Sequence, residues 1–194
     1  MDTSLNISDQ SFKVDINDST NLTNLYEEII SKLDNLSQKA KNHLNSLVIK
    51  NDRIDNSLLE THQFAAHGFA WFETYKIGLR ETLNWYKNLH NSNKATLLEK
   101  NILIFAFAEY LNQMRSGIMM SQSEIVRPET LGLVDEDFRF LDDSEIFELI
   151  NIGSSESIKI QIVESLGQGF FPNLGLNDET LEMIQEQFKK SHNV

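Results

Sequence analysis

A chain of 194 residues with a formal net charge of −12 and no cysteine suits one domain with appendages and needs no disulfide staple. The acidic balance repels phosphate backbones and argues against nucleic-acid binding, while the absence of thiols excludes disulfides, thiolate metal sites and cysteine nucleophiles and fits a reducing compartment. The longest apolar burst, Ile102 to Ala108, falls far short of the roughly 20 residues of a membrane span, and the N-terminus lacks the layout of a signal peptide, so a cytoplasmic protein is expected.

Residues 1–20 are rich in Asp, Asn and Ser and read as a flexible polar arm that cannot bury enough apolar surface to offset its ordering. Asn21 or Thr23 is placed to cap a first helix, in which Leu22, Leu25, Ile29, Leu33 and Leu36 begin a single stripe that runs to Leu47. A polar break at Lys50 to Asp52 leads to a central helix from near Asp55, its cap, to near Asn88. Within it, His62 to Leu89 carries two apolar lines at helical spacing, Ala65–Phe69–Phe72–Leu79–Leu83–Tyr86 and Phe64–Gly68–Trp71–Tyr75–Leu89. Two lines on one helix predict cover from more than one side, with Gly68 and Gly78 as places of close approach.

Ser92 or Asn93 is expected to cap a third helix, about Lys94 to Arg115, nearly all-round apolar in its middle and stopped by Gly117. The short loop before it makes the second and third helices antiparallel neighbours. The polar run Ser121 to Arg127 follows, where Ser121 with Glu124 three residues on fits a capping box and Arg127 is expected to pair with an acidic neighbour. Its functional reading is a docking loop carried by Ser121, Gln122, Glu124 and Arg127. Pro128 disfavours helix at Arg127, and the chain turns acidic from Asp135 to Asp143. Ser144 is placed to cap a short helix with Phe147, Leu149 and Ile150, ended by Gly153. Ser154 or Ser155 caps another through Leu166; the β-branched run Ile158 to Val163 makes strand its rival, with helix favoured. Residues 168–176 read as a linker, and 177–194 as an amphipathic helix with the stripe Leu181, Ile184, Phe188. The fold class is therefore all-α: a helical bundle domain over 21–167 with three long and several short helices, a linker, and one helix without an evident partner, a candidate interface.

For chemistry, the five-residue spacing of His62 and His67 turns them apart on a helix, unlike the four-residue spacing of helical metal pairs, and no Glu-x-x-His pair occurs. No metal site and no catalytic residue is assigned. Glu109, on an apolar helix, is a candidate buried carboxylate expected to pair with Arg80 or Arg115. No phosphate loop, nucleophile elbow or dinucleotide fingerprint is present.

The run His62-Gln63-Phe64-Ala65-Ala66-His67-Gly68-Phe69-Ala70-Trp71, then Thr74-Tyr75, Leu79-Arg80, Glu109-Tyr110-Leu111 and Gln113, resembles the N-terminal helical extension of a bacterial acyl-CoA dehydrogenase-like flavoenzyme family. The most specific part is Met120-Ser121-Gln122-Ser123-Glu124-Ile125-Val126-Arg127-Pro128. Leu176 to Phe188 resembles the point where that extension meets the first helix of the dehydrogenase's own N-terminal domain. The family usually has Gly where Ser123 stands and Pro where Met119 stands, which leaves a left-handed backbone at Ser123 open. The resemblance implies FAD, an acyl-CoA thioester substrate and electron-transfer flavoprotein as acceptor for the full-length family. It implies for this chain a module, truncated or split, that packs on the catalytic domains or on a subunit neighbour. The flavin site and catalytic base lie outside the recognisable motifs, so no cofactor-binding residue is assigned and enzymatic activity of this chain alone stays undecided. The rival readings are a freestanding helical interaction module and a bundle enzyme built on His62, His67 and Glu109.

Overall fold

The structure, a computed structural model, describes residues 18–175 together with Met183, Glu186 and Gln187. It is an all-α bundle. Helix α1 spans Ser19–Val48, α2 Asn56–Thr61, α3 Gln63–Asn91, α4 Leu97–Ser116, α5 Ser144–Ser154 and α6 Glu156–Gly167. Two minimal hairpins interrupt them, β1 Ile49–Lys50 with β2 Arg53–Ile54, and β3 Ile118–Met119 with β4 Ile125–Val126. Two 3-10 segments, Pro128–Leu131 and Asp135–Asp142, bridge from β4 to α5. The stripe Leu181, Ile184, Phe188 lies outside the described residues.

The apolar stripes do what their spacing predicts. Leu22, Ile29 and Leu33 of α1 are fully buried, and with Phe72, Leu79 and Leu83 of α3 and Leu103, Ile104 and Phe107 of α4 they form one continuous core. Helix α3 lies between α1 and α4, and α4 is covered on its remaining sides by α5 and α6, which is why its sequence shows so little polar face. Gly68 admits the second hairpin: a Cβ there would stand 2.7 Å from Val126 Cγ1. Gly78 is looser, with Tyr110 at 3.7 Å.

The boundaries are set by side-chain caps, and several differ from expectation. Helix α1 begins earlier than Asn21, because Asp18 Oδ1 accepts from the Thr20 and Asn21 amides at 2.9 and 3.2 Å. Asp55 caps as predicted, but only the short α2; the chain breaks at His62 (φ −107°, ψ 27°) before α3 starts. Between α1 and α2, Asn51 and Asp52 take φ of 52° and 59°, the left-handed pair that a two-residue hairpin turn requires. For α4 the cap is Thr96 rather than Ser92 or Asn93. Thr96 Oγ1 accepts from the Leu98 amide, and Glu99 Oε2 accepts from the Thr96 amide at 2.8 Å. Asn93 instead turns the loop at φ 56°. Gly117 ends α4 as expected, at φ 134°.

Gly153 does not end α5. It lies inside the helix, buried, where a Cβ would fall 2.5 Å from the Ile104 carbonyl oxygen. Ile146 is buried in α5, whereas Phe147 is 53% exposed. Ser155 caps α6 by accepting from the Ile158 amide, and Ile158 to Val163 is helical, so the strand alternative falls.

Tyr26 of α1 packs its ring 4.0 Å from that of Phe107 in α4. Its hydroxyl is fully buried without a hydrogen-bond partner among the described residues, and burial, with Tyr86 nearby, pushes the phenol well above its ordinary range. An unmade buried hydrogen bond carries its desolvation cost without return. Tyr26→Phe is therefore expected to raise stability by about 1 kcal/mol, read as a higher urea midpoint at unchanged slope; a lowered midpoint would show that the hydroxyl contributes favourably.

Candidate functional site

The polar run 121–127 forms the end of the second hairpin, which rises from the C-terminus of α4. Ile118 pairs with Val126 and Met119 with Ile125. The expected capping box is absent: the Met120 and Ser121 amides donate to the Glu124 carbonyl at 3.0 and 3.3 Å, and Ser121 Oγ accepts from the Ser123 amide at 3.4 Å. Ser123 is not among the residues with positive φ, so Ser suits this position as well as Gly would. Ser121 and Gln122 are exposed at the tip.

Two anchors hold the hairpin. Val126 buries its side chain at Gly68 of α3. Arg127 pairs with no acidic residue among the described ones; its guanidinium donates to the Ser116 carbonyl at the end of α4 and lies over Gly117, where a Cβ would stand 3.0 Å from it. A cation suits the negative end of the helix dipole. Arg127 is thus built into the base of the hairpin, while Glu124 reaches sideways to 3.8 Å from His67 Nδ1 on α3. His67 Nε2 in turn accepts from Trp71 Nε1 at 3.1 Å. Around this chain, Phe64 and Met119 are each 65% exposed and Ile125 is 43% exposed. Phe64 heads the second apolar line of the central helix, which predicts cover; it lies instead in the first turn of α3, before the bundle closes over that line, and Met119 and Ile125 stand on strands too short to read as such.

One turn deeper, Tyr75 donates to Gln113 Oε1 at 2.8 Å and lies 4.4 Å from the Tyr110 ring. Burial raises the Tyr75 phenol above its usual range, with a further push from Tyr110. The sequence-matched residues Trp71, Tyr75, Tyr110 and Gln113 thus meet on one side of the α3–α4 pair. Glu109 faces elsewhere: it pairs with Lys159 of α6 at 3.4 Å, not with Arg80 or Arg115. Arg80 takes Asp34 at 2.6 Å and Arg115 takes Asp142 at 2.5 Å. Arg115 holds the Asp142 carboxyl below its usual range.

Two arrangements bear on cofactors. Among the described residues no group of three or more His, Asp or Glu side chains is placed to hold a metal ion. The N-termini of α1, α2 and α4, where a cofactor phosphate would be favoured, each present a carboxylate instead, from Asp18, Asp55 and Glu99. An open groove of about 590 Å³ between α4, α5 and α6 is lined by Lys100, Asn101, Ser157 and Gln161 among others; there Asn101 Nδ2 donates to Gln161 Oε1 at 3.0 Å and Gln161 Nε2 donates to Ser157 Oγ at 3.2 Å. No helix among them is long and apolar enough to cross a membrane.

No protein-family model matches the chain. It is 31% identical over 173 residues to a (2S)-methylsuccinyl-CoA dehydrogenase of Cereibacter sphaeroides, a match that covers 87% of this chain. The chain spans about 31% of the length of that relative. This likeness supports a relationship between the chain and an acyl-CoA dehydrogenase-like family.

Proposed function

We propose that the chain is a helical module of an acyl-CoA dehydrogenase-like flavoenzyme, N-terminal to the catalytic part, and that it packs on that part through the tip of the second hairpin. The observation that carries this reading is the lopsided coverage: most of this chain matches, against less than a third of the relative. In this reading FAD, an acyl-CoA thioester and electron-transfer flavoprotein belong to the remainder of the enzyme. At the N-termini of α1 and α4 a carboxylate stands where a phosphate would need donors, which disfavours a phosphate at these two ends. The tip suits docking for a physical reason. Ser121, Gln122 and Glu124 stand on a hairpin held at Gly68 and Ser116, so little ordering entropy remains to be lost on contact. Phe64, Met119 and Ile125 supply exposed apolar surface beside them.

The reading frame that encodes this chain is tested first, for a dehydrogenase segment in frame or for an acyl-CoA dehydrogenase-type polypeptide that copurifies with the chain. Neither one being found overturns the module reading. In the assembled protein, Gln122→Ala and Glu124→Ala are expected to weaken association or flavin retention by about tenfold, the scale of a modest interface contact. Helix content should stay unchanged. Assembly and flavin content equal to wild type in both variants would remove the hairpin tip as the docking contact.

A further inference from the structure

The segment Gln168 to Gly175 reads as a linker, yet the bundle grips it at one residue. The Asn173 amide donates to Glu99 Oε1 on α4 at 2.8 Å, and the Asn173 carbonyl accepts from Trp85 Nε1 on α3 at 2.7 Å. Its side chain turns the backbone as well, with Oδ1 accepting from the Gly175 amide at 2.9 Å. Gly175, at φ 68°, then brings the chain against Leu89 and Trp85: a Cβ there would stand 3.6 and 3.8 Å from them. Phe170 is 61% exposed and Leu174 48% exposed. Both bonds to the bundle at Asn173 are made by its backbone.

Glu99 is the unusual member. It is 2% exposed, yet capping α4 needs only one of its oxygens, Oε2, which accepts from the Thr96 amide and hydroxyl. The second oxygen is spent on a residue 74 positions away in sequence. Burial alone would push this carboxyl up, but the hydrogen bonds from Thr96 and Asn173 outweigh it and hold it below the ordinary range. A buried carboxylate oxygen that loses its donor is left with an uncompensated lone pair.

We propose that Glu99 and Trp85 form a two-point latch that docks residues 168–175 across the seam of α3 and α4 and fixes the direction in which the polypeptide leaves the bundle. The latch takes a single peptide residue, reading one N–H and one C=O. It is internal to this chain and holds whether or not the dehydrogenase reading does.

The test is amide exchange on the full chain, comparing wild type with Trp85→Phe, Glu99→Gln and Thr96→Ala. Trp85→Phe removes one latch bond without touching the α4 cap; Thr96→Ala weakens the cap without touching Asn173. Trp85→Phe and Glu99→Gln are each expected to speed exchange over residues 170–175 by about tenfold, with the interior of α3 and α4 unchanged. Thr96→Ala should leave 170–175 near the wild-type rate. Unchanged exchange in Trp85→Phe and Glu99→Gln would overturn the latch. So would an equal acceleration by Thr96→Ala, which would make Glu99 a cap and nothing more.

Discussion

Gly153→Ala is expected to destabilise the bundle by about 3 kcal/mol, at the upper end for forcing volume into a packed core. The added methyl would fall 2.5 Å from the Ile104 carbonyl oxygen and 2.6 Å from Ala108 Cβ. The first is backbone of α4 and cannot swing aside as a side chain end would, so α5 must move away from α4 as a unit. Alanine's better helix propensity, about 1 kcal/mol, offsets part of the loss and does not reverse it. Gly78→Ala provides the control. Its nearest neighbour is Tyr110 Cε2 at 3.7 Å, ordinary contact, so there the propensity gain stands alone and stability should rise by about 0.5–1 kcal/mol. Denaturant unfolding of the two variants would show opposite signs. A neutral Gly153→Ala would mean that α5 is not seated against α4 as described.

Lys76→Met should be comparably harmful. Lys76 sits between α1 and α3 with 7% exposure. Its ammonium lies 3.0 Å from Glu73, donates to Ser37 Oγ at 3.0 Å and stands 3.4 Å from Asp34. Ser37 in turn donates to Glu73. Removing the cation leaves the Glu73 carboxylate with one hydroxyl donor, while Asp34 retains Arg80. Breaking such a pair costs about 3 kcal/mol, the low end of the range because Glu73 and Asp34 keep some access to water. For a chain of this size that is a fall in Tm on the order of 10 °C. The cost is that of the charge left behind, so adding Glu73→Gln to Lys76→Met should recover part of it. A double variant no better than the single would assign the loss to packing of the lysine stem instead.

These positions also mark what the residues alone could and could not convey. The long helices were legible because Leu22, Ile29 and Leu33, or Phe72, Leu79 and Leu83, repeat at a helical period and are buried for that reason. The hairpins were not: two-residue strands are too short to show an alternation. Gly153 and Gly117 look alike in sequence, and only the neighbour decides that one is a close-packing position and the other a terminus. Thr96-x-x-Glu99 is a readable capping box, passed over because Ser92 and Asn93 stand nearer the expected loop. Nothing local marks Lys76 as buried, since its partners on α1 lie some forty positions away. At the candidate site, composition picked out 121–127 as a polar run between apolar elements. That Arg127 would serve a helix terminus and Glu124 a histidine depends on how the hairpin returns to α3.

The two tryptophans give the bundle a pair of optical probes. Trp71 and Trp85 both lie on α3, separated by about 21 Å of helix at 1.5 Å per residue. Each indole N–H is already spoken for, by His67 beside the hairpin and by Asn173 on the strap. With one of them replaced by phenylalanine, the emission of the other follows one end of a single rigid rod. Contact made at the hairpin and movement of the strap can then be watched separately, in the same chain and without an attached dye.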